Sequence, residues 1–160
     1  MSVNVGQRNV PDTPANKAFA AGEKAMEVAL HTIKICKNKN IFTAEYQEAL
    51  TNDIIRCAKD IYIFTWSGNN IYVSEKQKEG WPERERLQIA AYRKCNELLS
   101  LQNIARRLFH LRGKKVRYWA QLTVDARKLI KEWHRSNADQ YGKQVSSERA
   151  SSLSESRQRE

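Results

Sequence analysis

An all-α fold, an antiparallel up-down four-helix bundle, is predicted by three features of this 160-residue sequence. Apolar residues recur at intervals of three, four and seven through most of residues 15–136, the period of one face of an α-helix. The periodic segments are roughly 20–30 residues long and joined by short polar stretches, which return each helix antiparallel to the one before. The strand signal is weak throughout. IYIFTW, residues 61–66, would pass for a buried strand, but it lies inside a longer helical stripe.

Residues 1–14 hold Gly6, Pro11 and Pro14 among few apolar groups and are expected to form a flexible arm. From about Ala15 the first helix carries Phe19, Met26, Leu30 and Ile33 on its stripe. It should end near Lys37, because Lys34 and Lys37 suit the negative end of the helix dipole. KNKN, residues 37–40, is the turn. Thr43 is a plausible N-cap of the second helix, with Glu45 in its first turn. Tyr46, Leu50, Ile54, Cys57, Ile61 and Phe64 then share one stripe, and the helix reaches at least Trp66. Gly68, Asn69 and Asn70 end it or weaken it, and SEKQKEGW, residues 74–81, is a polar loop. Pro82 fits the first position of the third helix, and Glu83 and Glu85 suit its positive end. Leu87, Ala91, Cys95, Leu98, Ala105 and Leu108 trace its stripe until Gly113 breaks the pattern. Trp119, Leu122, Ala126, Leu129 and Trp133 mark the fourth helix. Residues 137–160 are rich in Ser, Gln, Arg and Glu with a single Leu. They bury too little to offset their ordering entropy and are expected to be a disordered polar tail, leaving 15–136 as the bundle.

Several function classes are disfavoured. Cys36, Cys57 and Cys95 are odd in number and far apart, which argues against a disulfide framework or a zinc site; core packing suits them better. No metal or cofactor is expected. HExxH, GxSxG and a phosphate-binding glycine loop do not occur. No apolar run approaches the roughly 18–20 residues that cross a bilayer, and the N-terminal residues lack a secretory pattern. A cytoplasmic protein without membrane contact is expected.

The formal net charge is +10, and it is unevenly placed. Residues 111–136 hold eight basic and two acidic residues, whereas residues 42–80 are net acidic. On a helical projection Lys114, Arg117, Lys128, Lys131 and Arg135 oppose the apolar stripe of the fourth helix. A surface helix normally mixes signs to gain pairing one turn apart. An unbalanced face is easier to understand when polyanions neutralise it. RRLFHLRGKKVRYW, residues 106–119, adds Arg106, Arg107, Arg112 and Lys115, giving nine candidate nucleic-acid-binding residues. Lys114, Lys115 and Arg117 stand at the positive end of their helix, where the dipole disfavours cations. Among the aromatic residues, Tyr62 and Trp66 are the candidates for a subunit interface, where such rings are enriched.

One pair offers a catalytic alternative. Arg127 and His134 form R-x6-H, which resembles the degenerate motif of the helical-bundle ribonucleases called HEPN domains, with Arg binding phosphate and His moving a proton. Lys128 stands where those motifs usually have a polar Asn, Asp or His. A plain protein-interaction bundle is the third possibility.

FTAEYQEALTNDIIRCAKDIYIFTWSGNNIYV, AYRKCNELLSLQNIARRLFHL and YWAQLTVDARKLIKEWHRS together resemble the accessory variability proteins (Avd) of diversity-generating retroelements. These are similar in turn to four-helix-bundle proteins encoded in ribosomal-RNA intervening sequences. The resemblance covers about residues 15–136 and implies a non-catalytic, bacterial or phage-encoded basic protein that forms homopentamers. It implies as partners a reverse transcriptase, its template RNA and the cDNA made by adenine-directed mutagenic synthesis. The family's function lies in a positive surface, matched here by the nine basic residues above.

Overall fold

The computed structural model describes residues 19–142. The expected arm, and residues 143–160 of the expected tail, lie outside the described residues. Four helices follow in order: α1 (Ala20–Cys36), α2 (Asn52–Asn70), α3 (Trp81–Leu108) and α4 (Lys114–Asn137). A 3₁₀ turn (Ala44–Tyr46) and a π turn (Gln47–Thr51) lead into α2, and a second π turn (Ala138–Gly142) follows α4. No strand occurs among the described residues, apart from one isolated bridge between Ser74 and Gln77.

Each helix packs on its neighbours in sequence, and α1 also packs on α4, so the four surround one core. Ring contacts fix their directions. Phe42 lies 5.0 Å from Phe109 and 6.1 Å from Trp119 at one end. Phe19 lies 5.0 Å from both Trp66 and Trp133 at the other. The C-termini of α1 and α3 therefore share an end with the start of α4 and the turns leading into α2, as up-down topology requires.

Val28, Ile54, Ile61, Leu98, Trp119 and Ile130 are fully buried, with Ala25, Ala91, Ala105 and Ala126 between them. Burying each large side chain stabilises the fold by about 1.5–3 kcal/mol, and the alanines let the helices approach closely. A polar layer crosses this core. The Trp119 indole N–H donates to Thr32 Oγ1 at 2.9 Å, and Gln102 Nε2 donates to Thr123 Oγ1 at 2.9 Å. These bonds tie α4 to α1 and α3 in one register.

Several local expectations are corrected. Thr43 precedes the 3₁₀ turn, but its hydroxyl makes no capping bond, and regular α-helix begins only at Asn52. The helix α3 starts at Trp81, one residue before Pro82, which sits in its first turn, and the Trp81 ring is buried against Tyr141. The bundle does not stop at residue 136. Asn137 is buried and accepts hydrogen bonds from Arg84 Nη1 at 3.2 Å and Gln88 Nε2 at 3.1 Å, while Tyr141 packs with Val73 and Trp81. One polar residue with two donors to satisfy, and one aromatic ring, are enough to hold the chain five residues beyond α4. The face of α1 also differs. Ala21, Ala25, Val28, Ala29, Thr32 and Cys36 point inward, while Leu30 is 49% exposed. Small residues make most of the inward face, and Leu30 is left outside.

Gly22 and Gly113 hold positions that a larger residue would disturb. A Cβ on Gly22 would sit 2.3 Å from the Phe19 ring, which folds over the start of α1. Gly113 has φ of +95°, a conformation that lets α3 turn sharply into α4 and that side chains rarely adopt.

Candidate nucleic-acid interface

All nine basic candidates are exposed. Arg106 and Arg107 occupy the last turn of α3, where their charge complements the helix dipole. Arg112 lies in the connection, and Lys114, Lys115 and Arg117 begin α4. Lys128, Lys131 and Arg135 lie further along α4. The structure therefore brings six of the nine together around the α3–α4 turn. The other three begin eleven residues beyond Arg117, about 16 Å away at 1.5 Å per residue. None of the nine makes an ion pair among the described residues; Arg106 donates to Asn103 Oδ1 at 3.0 Å. The nearby Asp125 instead accepts from Gln121 at 2.8 Å.

Lys115 departs from the stripe. At 100° per residue it shares an azimuth with Trp133, on the apolar side of α4. It is exposed because it lies above the Trp119 level, where an open cleft replaces the core. This cleft of about 550 Å³ opens between the end of α1, the loop after it and the α3–α4 turn. Ile41, Phe109, Leu111 and Val116 contribute apolar walls, while Lys34, Arg112 and Lys115 stand on its rim. His31 also lines it, edge-on to Tyr118 at 5.1 Å. Burial, and then the Lys34 charge, hold the His31 imidazole below its ordinary pKa. Sequence reasoning missed Lys34 and His31 as parts of a site. The only available signal was a basic residue in a helix's last turn, which the dipole already explains.

Arg127 and His134 do not converge on one another. Arg127 Nη1 donates to Asn96 Oδ1 at 2.8 Å, whereas His134 Nε2 lies 3.0 Å from Glu85 Oε2 and its ring stacks with Trp81 at 6.2 Å. Each side chain is held by a different level of α3. Tyr62 and Trp66, the interface candidates, are half-buried on α2 with ring centroids 6.3 Å apart. Trp66 also meets Phe19, and its indole N–H is buried without an acceptor.

The three cysteines are buried as free thiols, each pushed up to about 12 chiefly by burial, so they remain protonated. The described residues hold no group of three or more His, Cys, Asp or Glu placed to bind a metal ion. No helix among them is long and apolar enough to cross a membrane. No protein family, curated protein or solved structure matches the chain.

Proposed function

We propose that this protein is a non-catalytic RNA- and DNA-binding accessory protein of a retroelement reverse transcriptase. In this reading it holds the template RNA against that enzyme and supports mutagenic cDNA synthesis, whose chemistry belongs to the partner. The observation that carries the nucleic-acid part is the set of nine exposed cations without a carboxylate partner among the described residues, six of them around one turn. Phosphates bind such a surface through release of their counterions. The retroelement part rests on the resemblance to accessory variability proteins, with self-association into a homopentamer.

Charge reversal at Lys114, Lys115 and Arg117 tests the first part. The triple glutamate variant should lose binding to a structured RNA in filter or fluorescence assays, with its helical circular dichroism unchanged. Retained affinity would remove the basic turn from the interface. Copurification of a tagged reverse transcriptase and its RNA with the wild-type protein tests the second part.

A further inference from the structure

The cleft beside the basic turn combines two chemistries that a simple phosphate surface does not need. Its walls include Ile41, Phe109, Leu111 and Val116, and no carboxylate lines it. Lys34 rises on the α1 side, and Arg112 and Lys115 rise on the side of the α3–α4 turn. These three cations make no hydrogen bond or ion pair among the described residues. Phosphate alone would gain nothing from the apolar walls, and a neutral apolar ligand would gain nothing from the rim. An acyl chain with one carboxylate would use only one side. A nucleotide within a strand has a flat apolar base with a phosphate before it and another after it, and so fits both rims and the floor.

We propose that this cleft captures one unstacked base of a single-stranded RNA, with its flanking phosphates held by Lys34 on one rim and Arg112 and Lys115 on the other. The inference rests on the nucleic-acid reading above and gives it a strand preference. Phe109 supplies an aromatic wall that is only half-buried, as base capture requires. Asn38, also on the wall, uses its Oδ1 to accept the Asn40 N–H at 3.1 Å, which leaves its amide N–H groups for a base edge. His31 lines the cleft with its Nε2 buried and without a hydrogen-bond partner among the described residues. Arg112 and Lys115 belong to both the cleft and the basic turn, so a strand lying across the turn passes over the opening.

The test compares two probes that carry equal charge. One is a short unstructured RNA; the other has the same backbone with abasic residues throughout. The full-length protein should bind the intact strand about tenfold more tightly, the scale of one stacked base. Val116→Trp, which fills the cleft without changing charge, should lower intact-strand affinity to the abasic value and leave the abasic strand unaffected. Because Val116 is half-buried, Ile41→Ser provides a second variant at a residue already 37% exposed, with the same expected loss. Equal affinity for the two probes in the wild-type protein would overturn base capture while leaving phosphate binding intact. Binding of neither probe would remove the nucleic-acid reading itself. An acidic, leucine-containing peptide that displaces the intact strand, and that fails to bind the Val116→Trp protein, would make the cleft a protein-docking site and overturn the proposal.

Discussion

Single buried polar contacts set both the register of this bundle and its response to pH. Trp119 is 0% exposed, and its indole N–H has Thr32 Oγ1 as acceptor. Thr32→Val keeps the shape and removes the acceptor, so the donor stays buried and unpaired. Such a loss costs about 1–3 kcal/mol, and equilibrium urea unfolding should show it as a lower midpoint with an unchanged slope. His31 gives a different signature. Its folded-state pKa lies below the ordinary value of 6.5, because burial and then Lys34 disfavour the cation. Protonation therefore favours the unfolded chain. The stability His31 contributes should be fully present above pH 6.5 and decline as pH falls through 6.5 toward its folded pKa. Comparing unfolding free energies of wild type and His31→Leu across that range isolates the effect, since the difference should shrink as the solution is acidified. A pH-independent difference would mean that His31 is not held neutral.

Helices divide into those whose faces are legible in the sequence and those whose faces are not. In α4 the expected stripe residues Trp119, Leu122 and Ala126 are buried and Leu129 and Trp133 pack partly buried against the core, so hydrophobic period and packing largely agree, although the fully buried Ile130 lies outside the expected stripe. In α1 the inward face is made mostly of alanine, threonine and cysteine with Val28, and a reading based on large apolar residues includes Leu30, which points outward. Helix proximity, a tertiary property, decided between them. The tail boundary fails for a related reason: a polar composition conceals Asn137 and Tyr141, whose partners lie about fifty to seventy residues earlier in the chain. The cleft was equally hidden, since its walls come from two stretches far apart in the sequence, 31–42 and 109–116. The start of α4 was legible as a local conflict. Its first turn holds no acidic residue and three cations, Lys114, Lys115 and Arg117, against the dipole. Folding alone would favour carboxylates there. Lys114→Glu with Lys115→Glu should therefore stabilise the fold by ~0.3–1 kcal/mol per site, read as a higher thermal midpoint at low salt, with the gain fading as salt is added. A variant that became less stable would show that these lysines make a folding contribution the dipole argument lacks.

At the scale of the whole molecule the nine basic candidates form a track with a gap. The rise from Lys114 to Arg135 is about 32 Å, with six cations clustered near one end and Lys128, Lys131 and Arg135 toward the other. A single strand that follows α4 meets both groups, whereas a shorter one reaches only the turn. Counterion release makes this distinction measurable. The slope of log affinity against log salt is about −0.7 per phosphate neutralised on single strands. A strand long enough to cover all nine cations should thus approach a slope of about −6, and the triple reversal at Lys114, Lys115 and Arg117 should make it shallower by at least about 2. A strand too short to leave the turn should lose little when Lys128, Lys131 and Arg135 are replaced by glutamine, while the long strand should lose about 2 from its slope. Little loss for the long strand as well would mean that the two groups do not lie on one path. The strand would then cross the end of the bundle, over the cleft, instead of running down α4.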